Sequence, residues 1–221
     1  MTGPSSPKPV GAVDRLGEPV PTPAGVDPKR WRKFCAQVVR LPGNGCHLWA
    51  SAPRRGDGYG QFWAKPGDLA GVAGDGVPML PGMADVDQDQ ERTRPRTWRA
   101  HRFAYVAITG HLLRQDDFLM HLCDQPLCVP VTAEALEHHL APADNRTNSL
   151  DRDQKGRTIT PTQFGRTAWS RGPANGPLRR SLAIHAALTD ALAAGVGRAD
   201  LAGIVAAADR DVAGDDHPTL F

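Results

Sequence analysis

The stretch from Phe118 to Asn148, FLMHLCDQPLCVPVTAEALEHHLAPADNRTN, limits what this chain can fold into more than any other. It holds three histidines, two cysteines and two asparagines in one short run. Its spacing is His121-x-Cys123-x4-Cys128, a stretched loop, then His139-x8-Asn148. This mixes soft sulfur, imidazole and hard oxygen donors that no single metal prefers, so two sites are implied. Cys123, Cys128 and a histidine at the end of the loop suit zinc. His121 and Asn148 suit a water-activating base and a hard divalent cation on phosphate oxygens.

A chain of 221 residues holds one sizeable core with tails. Twenty prolines and 23 glycines, many of them near the start and between residues 66 and 82, mean that much of the length is loop. Four cysteines with a tight Cys-x4-Cys pair, no signal-peptide core and no long apolar run argue against a disulfide scaffold or a membrane span. A reduced, cytoplasmic protein without a membrane partner is expected. The net charge of +2 conceals a basic body and an acidic end: residues 146–180 carry eight Lys/Arg against two Asp, residues 181–221 two Arg against six Asp. Cations spread over a surface displace condensed counterions from phosphates, so nucleic acid is a natural partner.

In chain order, residues 1–28 are expected to be a disordered tail, with seven prolines, four glycines and few large apolar groups. Trp31, Phe34, Cys35 and Val38 at helical spacing predict a short amphipathic helix over 29–39, with Cys35 a buried free thiol. Residues 46–49 and 59–64 read as the strands of a hairpin about Gly56-Asp57-Gly58. Residues 65–96 read as a flexible insertion, after which 97–100 could pair back with 59–64. His101 to Thr109 predicts a helix closed by Gly110. Then come a strand ending at His121, a loop over 122–138, a strand around 139–141 and a helix capped by Asp144 that runs toward Lys155. That helix sets Asn145 and Asn148 one turn apart. Residues 158–177 form a basic linker. Residues 178–221 form a helical tail whose two amphipathic segments suit packing or self-association, a homodimer included, better than DNA recognition.

Several phrases occur in a fixed order: Cys46-His47-Leu48-Trp49 with GDGYGQF after it, then RAHRFAY, HLCDQPLCV and DRDQKGR. Through them, over roughly residues 30–157, the chain resembles HNH endonucleases of the His-Me finger (ββα-metal) superfamily. The pattern is most similar to the zinc-bearing type of phage and homing endonucleases, shared with the His-Cys box enzymes. The resemblance implies an α+β fold. Its centre, residues 29–157, would be a small ββα-metal finger with an N-terminal β-hairpin, a structural zinc, long irregular loops and a C-terminal helical hairpin after it.

It implies further that His121 is the general base, that Asn148 holds Mg²⁺, and that Cys46, Cys123, Cys128 and His139 bind zinc. His139 is preferred to His138 because Leu140 follows it. Arg102 and Arg99 would lie near the cleaved backbone. The chain departs from the family after Cys128. Where the pattern is Cys-Val-Asn-Pro-x-His-Leu, it runs Cys128-Val129-Pro130-Val131 with about six further residues before His139, and the pinning Asn is missing.

Such a set would hydrolyse phosphodiesters of double-stranded DNA. A neutral imidazole takes a proton from water, and a divalent cation neutralises charge on the phosphate and the departing oxygen. Zinc would instead fix the loop that aims His121. The alternative is a catalytically degenerate, zinc-stabilised nucleic-acid-binding module, to which the altered loop points.

Overall fold

A computed structural model describes residues 11–42, 45–69, 96–111, 113, 117–154 and 176–216. The fold is mixed α+β, with small two-stranded antiparallel sheets and helices around one core. No helix among the described residues is long and apolar enough to cross a membrane.

The chain opens with a correction. Within the expected disordered tail, β1 (Ala12–Val13) pairs with β2 (Pro19–Val20), and Ala12, Val20 and Val26 are buried in the core. Ordering comes from polar contacts that composition does not reveal. The buried carboxylate of Asp14 accepts the Leu16 and Glu18 N–H groups at 3.0 Å each, pairs with Arg40 at 2.9 Å, and pairs with Arg198 at 2.9 Å from the other end of the chain. Residues 1–10 of that tail lie outside the described residues.

Helix α1 (Pro28–Cys35) begins where Asp27 accepts the Lys29 N–H and Pro28 presets the first turn. It buries Trp31, Phe34 and Cys35, the last as a free thiol whose pKa burial pushes well above the ordinary thiol value, which keeps it protonated. The helix stops short of the expected Val39. The β-branched pair Val38-Val39 enters β3 (Val38–Arg40), which pairs with β4 (His47–Trp49).

The expected hairpin between 46–49 and 59–64 therefore does not form. Its second strand, β5 (Gln61–Ala64), pairs instead with β6 (Arg96–Arg99), so the suggested return of residues 97–100 onto this strand is largely what the register shows. Between the two ribbons Gly60 lets the Trp49 ring lie on bare backbone: a Cβ there would sit 2.6 Å from Trp49 Cγ. A short 3₁₀ turn (Pro66–Leu69) follows β5, and residues 70–95 of the proposed insertion lie outside the described residues.

Helix α2 (Ala100–Thr109) ends as expected at Gly110, whose φ of 74° suits the left-handed cap. Its Phe103 completes an aromatic cluster centred on Phe34, whose ring lies 4.8 Å from Phe103, 4.9 Å from Phe62 and 5.3 Å from both Trp31 and Trp49. Edge and tilted contacts of this kind add to the burial of each ring.

Against this core sit β7 (Phe118–His121), α3 (Ala133–His139), β8 (Leu140–Ala143) and α4 (Asn145–Gln154). Strands β7 and β8 pair antiparallel, with His121 opposite Leu140. Within the expected loop over 122–138 the chain forms α3, capped by the Thr132 hydroxyl on the Ala135 N–H. Asp144 caps α4 as expected, accepting the Thr147 N–H at 2.6 Å.

Helices α5 (Gly176–Ala193) and α6 (Arg198–Asp216) pack on each other and on the core, where Ile184, Leu188 and Leu201 are fully buried. They are thus part of the folded body. Most of the basic linker, residues 158–175, lies outside the described residues.

Burial alone would raise the pKa of Asp14, but hydrogen bonds from Arg40 and Arg198 outweigh it and hold the carboxyl below its ordinary value. That contribution to stability is complete above the unfolded pKa near 4 and is lost as pH falls through the lowered folded value. Asp14→Asn is expected to destabilise the chain by about 2 kcal/mol, since it removes the buried charge shared by two partly buried guanidinium groups and leaves them only the more exposed Glu18 carboxylate. Urea denaturation at pH 7 measures the loss, and a parallel series toward pH 3 should show the wild type converging on the variant.

Candidate metal centre and adjoining cleft

Three separate segments deliver the four donors of one cluster. Cys46 precedes β4, Cys123 and Cys128 flank the turn after β7, and His139 is the last residue of α3. Their ligand atoms all lie within 4.8 Å of one another. Tetrahedral zinc with bonds of about 2.3 Å to sulfur would set its ligands about 3.7 Å apart, so the cluster is compatible with a structural zinc site. The Cys46 Sγ to His139 Nδ1 distance is 3.6 Å, already at that value. His139 is buried and His138 exposed, so the structure brings in the histidine that the resemblance implied.

The donor chemistry fits the same ion class. Cys123 is pushed strongly down because the Cys128 and Cys46 thiols both donate to its sulfur, while Cys46 is raised to about 12 and Cys128 rises as the donors. Without a cation one thiolate is shared by three sulfurs. A soft divalent ion would displace the remaining protons, and affinity would rise with pH.

Two residues that sequence reasoning passed over shape this centre. Gly45 has a φ of 65°, and a Cβ on it would lie 3.0 Å from His139 Nε2, so only glycine both adopts the turn and clears the ring. His47 is buried on β4, and burial lowers its pKa to about 4, leaving the ring neutral. Its Nδ1 accepts the Val131 N–H at 3.0 Å, its carbonyl accepts the Val129 N–H at 2.6 Å, and Trp49 N–H reaches the Leu127 carbonyl at 2.9 Å. The segment after Cys128 is thus held against β4 by an isolated antiparallel bridge between Leu48 and Cys128 and by these hydrogen bonds.

His121 faces away from the cluster but is tied to it. Its Nε2 lies 2.9 Å from the Cys128 carbonyl. A carbonyl can only accept, so Nε2 carries the proton and Nδ1 the lone pair. Burial holds its pKa below the ordinary histidine value despite that hydrogen bond. The ring stacks on Tyr59 at 5.6 Å and meets His101 edge-on at 4.7 Å. His101 is buried and stays neutral, and its Nδ1 has no hydrogen-bond partner among the described residues.

A cleft of about 270 Å³ opens beside His121. Asn148 and Asp151 line it from α4, Leu119 and Met120 from β7, Asp124 and Pro126 from the turn, and Tyr59 from the preceding loop. Asp151, three residues after Asn148, shares its helix face; that spacing was visible in the sequence. Asn145 is not part of the lining. Arg102 is placed elsewhere, its Nη1 donating to the Asp117 carbonyl at 2.6 Å. Arg99 lies over the Tyr59 ring at 5.2 Å and pairs with Asp57 at 2.9 Å.

Comparison with protein-family models, curated proteins and solved structures finds no match.

Metal analysis of the purified chain is expected to give about one equivalent of zinc. His139→Ala and Cys123→Ser should lose it and His138→Ala should keep it. Gly45→Ala should weaken retention through the His139 ring without removing any donor. Equal metal content in the His138 and His139 variants would contradict the ligand set.

Proposed function

We propose that this chain is a metal-dependent DNA endonuclease of the HNH, His-Me finger type, a phosphodiester hydrolase or nickase, in which His121 is the general base. One observation carries the reading. His121 is a half-buried, neutral imidazole whose Nε2 is fixed on the Cys128 carbonyl, with its ring lining a cleft shared with Asn148. A base that must take a proton from water needs a defined tautomer and a free lone pair, and this hydrogen bond supplies both. The order of β7, β8 and α4, an antiparallel pair followed by a helix, agrees with a ββα-metal finger.

The residues divide the work. The Cys46, Cys123, Cys128 and His139 set holds a structural zinc, and the same turn that carries its sulfurs orients His121. Tyr59 and His101 brace the His121 ring from two directions. Met120, next to the base, offers no hard donor. The hard donors at the cleft are Asn148, Asp151 and Asp124, an all-oxygen set that fits Mg²⁺ better than zinc. When bound, the cation would supply positive charge to the phosphate and the departing 3′-oxygen. Arg99, exposed beside Tyr59, is suited to a phosphate of the bound strand.

The alternative, a degenerate nucleic-acid-binding module, drew its force from the missing asparagine after Cys128. His47 and β4 hold that segment here, which weakens the reason for reading the site as lost.

Supercoiled plasmid incubated with Mg²⁺ is the direct test. Wild type should yield nicked or linear product, and His121→Ala should cut roughly 10²- to 10⁴-fold more slowly while still binding DNA. Asn148→Ala should raise the Mg²⁺ concentration needed. DNA retention by both proteins with cleavage by neither would favour the binding module.

A further inference from the structure

We propose that Arg180, on α5 of the C-terminal hairpin, is a positioning residue of the metal centre, so that the docked hairpin sets how firmly the ion is held. The proposal rests on reading Cys46, Cys123, Cys128 and His139 as a metal site.

The turn that joins Cys123 to Cys128 has a strained point immediately after its first ligand. Asp124 has a φ of 57° and is the one non-glycine residue at positive φ among the described residues. An L-residue held there costs on the order of 1 kcal/mol and persists only where its surroundings fix it. The surroundings on the Cys128 side are clear: β4 takes the backbone of Leu127 and Val129. On the Cys123 side the chain is held before the ligand by the Leu122 N–H on the His139 carbonyl at 2.9 Å. After the ligand, Arg180 reaches in from outside the turn, its Nη1 donating 2.6 Å to the Asp124 carbonyl across 56 residues of sequence.

The guanidinium is itself fixed for this task. Its Nε and Nη2 engage the two carboxylate oxygens of Asp209 on α6, the second at 2.6 Å, leaving Nη1 to reach the turn. A planar fork locked on one side by a carboxylate aims its remaining donor with little further loss of freedom. Ile184, Leu188 and Leu201 anchor both helices beneath it. Groups that orient ligands from outside the coordination sphere commonly change metal affinity 10- to 100-fold.

The test compares zinc loss from the intact, zinc-loaded chain to a chromophoric chelator in wild type, Arg180→Gln and Asp209→Asn, with the thermal midpoint of each. Arg180→Gln should release zinc about 10-fold faster or more, and its cobalt-substituted form should show an altered thiolate charge-transfer band. Asp209→Asn loosens the hairpin and keeps an amide oxygen for the guanidinium, so it only partly frees Arg180: its midpoint should fall at least as far as that of Arg180→Gln, while its zinc release lies between wild type and Arg180→Gln. Unchanged release in Arg180→Gln overturns the proposal. So does equal release from both variants in step with their midpoints, which would make Arg180 a hairpin staple only. A wild-type chain that holds no zinc removes the metal-site reading itself and this inference with it.

Discussion

The convergence of Cys46, Cys123, Cys128 and His139 is the constraint on which the functional half of this structure depends. Cys46 and His139 are 93 residues apart, and the turn that carries Cys123 and Cys128 meets them from a third piece of backbone. Bringing three sulfurs and an imidazole within 4.8 Å concentrates polar, ionisable groups at the edge of an apolar core. As metal ligands they would cross-link three segments at once. Everything that aims His121 follows from this crossing. The carbonyl that fixes its tautomer belongs to Cys128, and the strand opposite it starts one residue after His139.

The rest of the molecule supports that crossing with ordinary burial. Phe34 gathers four aromatic rings from α1, β4, β5 and α2, which ties the ribbons to the helix without a continuous sheet. Two-stranded ribbons are weak by themselves, so each must lie on this cluster to persist. The chain ends are closed in by charge. Asp14, fully shielded, takes two backbone N–H groups and two arginines, and so joins the N-terminal strands to the start of α6. Arg40 and Arg198 also share the more exposed Glu18, so this one network of two carboxylates and two guanidinium groups ties the two regions together.

Polarity divides the metal centre from the cleft. Sulfur and imidazole make up the Cys46, Cys123, Cys128 and His139 cluster, whereas Asn148, Asp151 and Asp124 line the cleft. The two donor sets differ in hardness as well as place, so a soft ion and a hard ion would not compete for one site. His121 stands at the boundary. Its Nε2 is bound toward the turn, while its ring borders the cleft between Tyr59 and His101.

What the sequence by itself determined is what short-range physics governs. The Cys-x4-Cys turn, the helix stopped by Gly110, the cap at Asp144 and the apolar faces of α1, α5 and α6 all arise from neighbours a few residues apart, so their pattern is legible before folding. The resemblance carried Cys46 and His139 to the cluster, because ordered phrases encode a contact that spacing alone does not. Only the tertiary structure decided the partners. β4 takes β3 and not β5, since Val38-Val39 offers a β-branched edge and Gly60 leaves room for the Trp49 ring. Residues 11–20 order, since Asp14 meets arginines from Arg40 and Arg198. The segment after Cys128 is held by His47, and the cleft gains Asp124 and Asp151. Each of these is a contact between distant segments whose free energy exists only once the core has brought them together, and no local pattern in the chain contains it.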